Sequence, residues 1–359
     1  METAEKTYNI DEKDLARLGA VVFEAYGVPR EDAEILSLSL AEADIRGIKS
    51  HGMVRVPIYI DQFVNGKFSK ETKLTVKKET PVSLVLDGNN GPGAVVSARA
   101  VMMTRKKAEQ SGFAFAAVHG SNHFGTAGYW SEMLAGDDMI GFASTNSIPI
   151  VAAPAGTGRG IGSNPFSYTI PANKYASVCL DVSVGVMAQG KIYEYARLGK
   201  PLPENAWLGP DGQVTRDPKQ WDPMDYVMIP FGMHKGFGLG VVMEMLTSGL
   251  AGAEFHRQYQ GLNAKMTENS HCFWAMRIDA FTDVKKYRDQ VDAYIEYLHS
   301  LPVTNPGDKV YYPGEIEAVL KAKYLREGVP VAAKVVEDML GLAAGASADV
   351  SFIKSKYHI

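Results

Sequence analysis

The hydrophobic pattern of this 359-residue chain changes near residue 80. Before that point apolar residues such as Leu15, Leu18 and Val22 recur three and four apart, which is the period of an amphipathic helix. After it, short β-branched and aromatic runs alternate with helical patterns. These runs cover residues 82–86, 113–118, 139–144, 149–152, 166–170, 177–181 and 272–278. Strands that alternate with helices predict an α/β fold built on a central sheet.

Both ends of the chain have helical patterns. Asp11 is a candidate cap for a first helix, and Pro29 stands where a first helical turn tolerates a missing amide. A third apolar stretch covers residues 54–63, and the pattern is helical again from Glu315 onward. We therefore expect helical segments on both sides of the sheet.

These patterns divide the chain into three parts. We predict an N-terminal helical segment over residues 1–75, a central α/β domain over 76–312, and a C-terminal helical segment over 313–359 that packs against the first. Residues 199–230 are rich in proline and have no clear period, so we predict a long surface excursion of the central domain.

Composition excludes several functional classes. Hydrophobic residues make up 46% of the chain and charged residues 22%, which is typical of a globular protein and not of a disordered one. The net charge of −4, with no long run of one sign, argues against nucleic acid or an anionic membrane as a partner. Two cysteines cannot form a disulfide framework, and the polar start resembles no signal peptide. We expect a cytoplasmic protein.

The glycines first suggest a nucleotide loop. Their densest stretch, residues 156–162, lacks the spacing of the dinucleotide fingerprint G-x-G-x-x-G, and the chain has no G-x-x-x-x-G-K-[ST] phosphate loop. We interpret this stretch as a hairpin loop. A nucleotide cofactor would therefore need a site of non-Rossmann type.

Three histidines lie beside glycine in loop-like contexts: His51, His119 and His123. Imidazole is the usual proton relay in alcohol and ketone chemistry. Arg55 follows His51 by four residues, so a helix that starts just after Gly52 would turn both side chains toward one cavity. A proton donor would then stand beside a fork that grips a carboxylate. A helix-capping histidine and a surface arginine are the alternative.

The other candidates allow more than one role. His119 and His123 have the spacing of a metal pair on a helix, but the glycines around them argue against a helix, so we predict no metal. His123 is expected instead in a loop at a strand end that opens into a cleft. Asp181 ends a strand and could orient an imidazole, bind a ribose hydroxyl or close a turn. Lys235, between glycines at a helix start, suits a phosphate or a ribose.

Seven short motifs occur in one order along the chain. They are Ser50-His51-Gly52 with Arg55, Asn122-His123-Phe124-Gly125 with Gly128, Gly162-Ser163-Asn164-Pro165, Leu180-Asp181 with Ser183, Ala188 with Gly190-Lys191, His234-Lys235-Gly236 with Gly238-Leu239, and Tyr312-Pro313-Gly314-Glu315. Together they resemble the malate/L-lactate dehydrogenase family that is unrelated to the Rossmann-type enzymes of the same name. The resemblance runs from about Asp11 to about Val331. Its members include sulfolactate and ureidoglycolate dehydrogenases, diketogulonate reductase and piperideine-2-carboxylate reductases.

The resemblance implies a homodimeric NAD(P)-dependent oxidoreductase whose cofactor lies extended on a central mixed sheet of non-Rossmann type. In relatives one of two motif histidines exchanges the proton, and these two correspond to His51 and His123. The cofactor contacts that the resemblance implies are Ser147, Asp181, Val182, Ser183, Lys235, Gly236, Gly314, Glu315 and Ile316.

From both arguments we hypothesise hydride transfer between the nicotinamide and C2 of a small 2-hydroxy or 2-oxo acid. His51 is favoured as the proton-transfer residue, Arg55 pairs with the carboxylate, and Asp181 holds an imidazole or a ribose. NAD is the expected cofactor, with NADP as the alternative. Reduction of a cyclic imino acid and dehydrogenation of ureidoglycolate are rival reactions. A metal-dependent hydrolase and a non-catalytic binding module are the rival classes.

Overall fold

The computed structural model describes residues 6–222, 224–255 and 269–359. The helices in this part of the chain are α1 Glu12–Ala25, α2 Arg30–Ile45, α3 Val56–Val64, α4 Gly93–Ser111, α5 Ala127–Ala135, α6 Gly190–Leu198, α7 His234–Glu244, α8 Val284–His299, α9 Glu315–Glu327, α10 Ala333–Gly345 and α11 Ser351–Tyr357. The strands are β1 Thr7–Ile10, β2 Thr75–Thr80, β3 Ser83–Asp87, β4 Phe113–Ser121, β5 Met139–Thr145, β6 Val151–Ala152, β7 Arg159–Ile161, β8 Phe166–Ile170, β9 Val178–Val182, β10 Trp207–Leu208, β11 Val227–Met228, β12 Asn269–Arg277 and β13 Val329–Ala332.

A seven-stranded sheet forms the centre of the molecule, in the order β2-β3-β4-β12-β5-β8-β9. Strands β3 and β4 are parallel, and the other neighbours are antiparallel. The α/β class with a central mixed sheet is therefore confirmed. Helix α4 packs on β4 and β12, and α5 packs on β5 and β8.

One edge of this sheet gathers the ends of five strands. Strands β4, β5 and β9 end at this edge, and β12 and β8 begin there. This follows because neighbouring strands in this part of the sheet run antiparallel, so the end of one strand lies beside the start of the next. Four strand spacings separate β4 from β9, which amounts to roughly 19 Å at about 4.8 Å per spacing. The loops at this edge can therefore contact a long ligand.

The two ends of the chain meet through a small sheet that the sequence did not indicate. Strand β1 pairs antiparallel with β13, and α1 packs against α10. The Asp11 carboxylate accepts the amide of Lys13 at 2.9 Å, so the predicted cap of the first helix is confirmed. Both terminal segments were expected to be helical only; each contains a short strand. The domain boundaries themselves stay a prediction.

The prediction of a surface excursion over residues 199–230 was wrong. Strands β10 and β11 lie in this segment and join β6 and β7 in a second, four-stranded sheet. Leu202, Trp207 and Tyr226 are fully buried in a second core, which they share with Phe142 and Cys272 of the central sheet. Strands of two residues are too short to show a period of two in the sequence, which explains the error.

Two further observations concern earlier expectations. Strands β6 and β7 are antiparallel, so the glycine-rich stretch lies in the predicted hairpin. In the described residues no helix has both the length and the apolar composition needed to cross a membrane.

Candidate active site

A cavity of about 1530 Å³ opens at the sheet edge where the five strand ends meet. Its walls come from the loops after β4, β5 and β9, the residues before β8, helix α3 with the turns before it, the start of α5, and α9. Sites for a single small ligand usually measure about 300–1,000 Å³. This cavity has room for a cofactor together with a substrate.

The structure brings most of the predicted site residues together in the cavity wall. Those that line it are His51, Arg55, His123, Ser147, Asp181, Val182, Ser183, Gly314 and Ile316. Three do not. Lys235 and Gly236 lie at the start of α7, where Lys235 is exposed. The buried Glu315 carboxylate instead binds Lys309, His299 at 2.9 Å and the amide of Tyr312 at 3.2 Å.

Two imidazoles lie at the centre of the site. His51 ends a short 3-10 turn after α2, and His123 lies two residues after the end of β4. Their rings stack with centroids 5.4 Å apart and an angle of 25° between the planes. The sequence predicted that each side chain reaches a cleft; their contact with each other could not be read from it.

The conformation of the His51 turn depends on a buried carboxylate. Asp44, on α2, accepts the amide of Met53 at 2.7 Å. A Cβ at Gly52 would lie 2.1 Å from an Asp44 carboxyl oxygen, so only glycine fits there. Burial raises the pKa of Asp44 to about 7. Asp44 thus explains why glycine follows His51, and the sequence analysis missed it.

Tyr59 is a second residue that sequence reasoning missed. Its hydroxyl lies 2.6 Å from Nδ1 of His123, and its ring is almost fully buried. Burial raises the pKa of Tyr59 to about 12, so the phenol stays protonated at neutral pH. Because Tyr59 follows Arg55 by four residues on the α3 face, the spacing that indicated Arg55 could also have indicated Tyr59.

Both imidazoles are neutral at neutral pH. Burial, with the nearby Arg55 charge, lowers the pKa of His51 to about 4. The same two causes lower the pKa of His123 well below its usual 6.5. A neutral imidazole can accept a proton, as the oxidation of an alcohol requires.

Arg55 contributes the positive charge of the site. The predicted helix after Gly52 begins as a 3-10 turn, Met53–Arg55, and continues as α3. The Arg55 Nε donates to the carbonyl of Ser50 at 2.8 Å, which ties the guanidinium to the His51 turn. Arg55 has no ion pair with any residue that the structure describes, so its charge is available to an anionic ligand.

Asp181 lies at the end of β9 and faces both the cavity and α5. Its carboxylate accepts the amide of Gly128, near the start of α5, at 2.8 Å. Desolvation within the cavity raises the pKa of Asp181 to about 6. Within the described ranges it makes no hydrogen bond to an imidazole. The sequence allowed Asp181 to orient an imidazole, but in the structure it is Tyr59 that contacts the His123 ring.

Ser147 is held by a buried polar network. Its amide donates to the Asn164 side chain at 3.1 Å, and its hydroxyl accepts the amide of Ser163 at 2.8 Å. The Glu244 carboxylate, at the end of α7, accepts the side-chain amides of Asn164 at 3.0 Å and Asn146 at 3.1 Å. Glu244 thus fixes the cavity wall from behind, and no sequence pattern singled it out.

The cavity fits a dinucleotide. Its length along the strand ends, the hydroxyls of Ser147 and Ser163, and the Asp181 carboxylate suit an extended ligand with phosphates and ribose hydroxyls. Gly314 has a φ of +87°, and a Cβ there would lie 2.9 Å from that of Cys179. Across the described ranges no group of three or more His, Cys, Asp or Glu side chains could hold a metal ion.

Comparisons with known proteins agree with this site. The sequence profile of a family described as malate/L-lactate dehydrogenase matches residues 10–340. L-sulfolactate dehydrogenase of Methanothermobacter thermautotrophicus is 35% identical over 324 residues, 90% of this chain and 92% of that protein. The NADP(+)-dependent (2R)-3-sulfolactate dehydrogenase of Chromohalobacter salexigens is 33% identical over 244 residues, 68% and 72% of the two chains.

The fold was compared with solved structures as well. The crystal structure of malate dehydrogenase from Entamoeba histolytica superimposes with a TM-score of 0.91 at 27% identity, covering 96% of this chain and 99% of that chain. The similarity therefore extends over nearly the whole chain, including every wall of the cavity.

Proposed function

This chain belongs to the malate/L-lactate dehydrogenase family, and from that premise we propose that it interconverts 2-hydroxy acids of the malate and sulfolactate type with their 2-oxo acids. It is an oxidoreductase that acts on the CH–OH group of a hydroxy acid with a nicotinamide cofactor. The observation that carries the substrate assignment is the stacked imidazole pair beside Arg55, which pairs with no acid in the described ranges. Together these provide a proton acceptor and a carboxylate partner in one cavity.

His123 is the proposed proton-transfer residue, in place of His51. Its Nδ1 contacts the Tyr59 hydroxyl, which leaves Nε2 to exchange a proton with the substrate oxygen. In oxidation Nε2 takes the hydroxyl proton while the hydride leaves C2. In reduction the imidazolium returns that proton to the carbonyl oxygen. Because the proton is exchanged at Nε2, Nδ1 keeps its hydrogen in both protonation states and donates it to the Tyr59 oxygen, which holds the ring in the tautomer that this step needs. His51, stacked on this ring, shields it from water.

Arg55 would bind the C1 carboxylate. Its Nε is already engaged by Ser50, so the outer edge of the guanidinium points toward a ligand with little freedom left. Its charge also favours neutral imidazoles in the free enzyme, as the lowered pKa values of both histidines reflect. An anionic substrate neutralises that charge on binding, which makes protonation of His123 easier in the complex.

The nicotinamide cofactor, when bound, supplies or accepts the hydride. Ser147, Ser183 and Gly314 would hold it along the strand ends, and the Asp181 carboxylate would accept ribose hydroxyls. Glu317 also lines the cavity, and its charge helps to raise the pKa of Asp181. Two carboxylates at one place repel a 2′-phosphate, so we propose NAD over NADP. Lys235, Gly236 and Glu315 remain predicted cofactor contacts that this chain's own cavity does not include.

A homodimer is proposed for the whole protein, in the cytoplasm. Helix α7 and the turn after it expose Leu239, Val242 and Met245, which are 39%, 47% and 56% exposed. An apolar stripe of this kind is typical of a surface that a second copy covers. Light scattering on the purified protein measures the mass directly; a monomer at micromolar concentration would contradict the proposal.

The test of the function is a substrate screen. NADH and NADPH are each offered with oxaloacetate, sulfopyruvate, pyruvate and a cyclic imino acid, and loss of reduced cofactor is followed by absorbance. We expect turnover with the first two, and faster with NADH. Turnover confined to the imino acid would favour the rival reductase. No turnover with any substrate, despite cofactor binding, would refute the proposal.

A further inference from the structure

We propose that Lys67, together with Gln62, forms a subsite for a second anionic group of the substrate, at the end of α3 opposite to Arg55. The assignment rests on the proposed function and deepens it, because it makes the preferred substrate a 2-hydroxy acid with a second carboxylate or a sulfonate. Nothing in the short motifs of the sequence indicated Lys67.

The first argument is the helix face. Arg55, Tyr59 and Gln62 stand at positions i, i+4 and i+7, and all three line the cavity. Ile60 and Phe63, on the neighbouring side of α3, are buried in the core. The side of α3 that faces the cavity therefore has the Arg55 cation at its start and the Gln62 amide near its end. Between them lies Tyr59, which contacts the catalytic imidazole.

The second argument is the placement of Lys67. Its amide donates to the carbonyl of Gln62 at 2.8 Å, so the chain turns back on the end of α3. Its carbonyl accepts the side chain of Asn90 at 2.7 Å, and Asn90 in turn accepts the side chain of Asn122 at 3.2 Å. Asn122 directly precedes His123. The backbone of Lys67 is thus tied both to α3 and to the loop that carries His123.

The third argument is charge. Four cationic side chains line the cavity. Arg46 pairs with Glu42 and Glu132, and Lys321 pairs with Glu42. In contrast, neither Arg55 nor Lys67 pairs with an acid in the described part of the chain. Two uncompensated cations in one cavity suit a ligand with two negative charges.

The fourth argument is distance. Seven residues of helix separate Arg55 from Gln62, which corresponds to roughly 10 Å along the axis. Three carbon–carbon bonds place the carboxyl carbons of a four-carbon diacid roughly 4 Å apart. A charged hydrogen bond of about 2.8 Å at each end extends this to roughly 10 Å. A dicarboxylate of this length therefore matches the spacing between the two ends of α3, where the Arg55 and Lys67 side chains line the cavity.

The test compares malate with 2-hydroxybutyrate, in which a methyl group replaces the second carboxylate. For Lys67→Gln we expect the ratio of kcat/KM, malate over 2-hydroxybutyrate, to fall about tenfold or more, through the malate value. Lys67→Arg should retain most of the ratio. Lys70→Gln is the matched control, because Lys70 is an exposed lysine three residues away that does not line the cavity.

Two outcomes overturn the inference: a ratio close to one in the unaltered enzyme, and a ratio that is the same in Lys67→Gln as in the unaltered enzyme. Equal losses for both substrates, with weaker NADH binding by fluorescence titration, would assign Lys67 to the cofactor. Each of these leaves the proposed dehydrogenase intact. Absence of turnover with every 2-hydroxy acid would instead refute the proposed function, and the subsite with it.

Discussion

The contact between Tyr59 and His123 leads to a prediction about catalysis. Tyr59→Phe removes only the hydroxyl that lies 2.6 Å from Nδ1 of His123. In the proposed mechanism His123 is charged in the reduction transition state, and a hydrogen bond to a charged group is worth about 1.5–3 kcal/mol. Since about 1.4 kcal/mol corresponds to a factor of ten in rate, we expect kcat to fall about 10- to 100-fold. The KM for the substrate should change little, because Tyr59 holds no substrate carboxylate.

The assay is steady-state kinetics in both directions, with thermal unfolding measured alongside. Loss of one buried neutral hydrogen bond should cost about 1 kcal/mol of stability, which leaves the protein folded. Tyr129→Phe is the matched control. Tyr129 lines the same cavity and packs on Trp130 at 4.7 Å, and its hydroxyl bonds to no residue in the described ranges. A Tyr59→Phe enzyme with kcat within twofold of the unaltered one, or equal losses in both variants, would refute the reasoning.

Three further predictions concern the His51 turn, the cavity wall behind Ser147 and the pH dependence of the reaction. Gly52→Ala places a Cβ 2.1 Å from the Asp44 carboxylate, so it should lower the free energy of unfolding by about 1–3 kcal/mol and reduce activity. Gly341→Ala is the control: it has open space around it and should be neutral or stabilising in thermal unfolding. Glu244→Ala should weaken NADH binding in a fluorescence titration while leaving substrate KM at saturating cofactor nearly unchanged; unchanged cofactor affinity would contradict it. Because burial lowers the pKa of both active-site histidines, the proton acceptor stays neutral until well below pH 6.5. Asp44, whose pKa is about 7, is the other group near His51 that titrates in this range. An acid limb of kcat/KM for oxidation that stays at or above pH 6.5 in Asp44→Asn would contradict the assignment.

Local patterns predicted much of the fold. The strands at 113–118, 139–144 and 166–170 are all present, because each is a β-branched or aromatic run bounded by turn residues. The two-residue strands around Trp207 and Tyr226 were missed, since nothing so short has a detectable period. Strands β1 and β13 were missed for a related reason: their stability comes from pairing across almost the whole chain length.

The candidate site divides in the same way. Spacing four residues apart was enough to connect His51 with Arg55, because both lie on one short segment. The network behind Ser147 was not predictable, since Glu244 reaches it from a different helix. Lys235 shows the opposite limit: a motif identified it, yet in this chain it lies outside the cavity wall.

By itself the sequence determined the class of fold, the absence of a Rossmann fingerprint, and a short set of candidate side chains for acid-base chemistry, because these depend on composition and on neighbours within a few residues. Only the tertiary structure decided that five strand ends share one edge, that His51 stacks on His123, and that Tyr59 contacts this second imidazole. It also decided which cations lack an acidic partner among the described residues. Such relations depend on the register of strands distant in sequence and on burial, and burial is what lowers the pKa of both histidines.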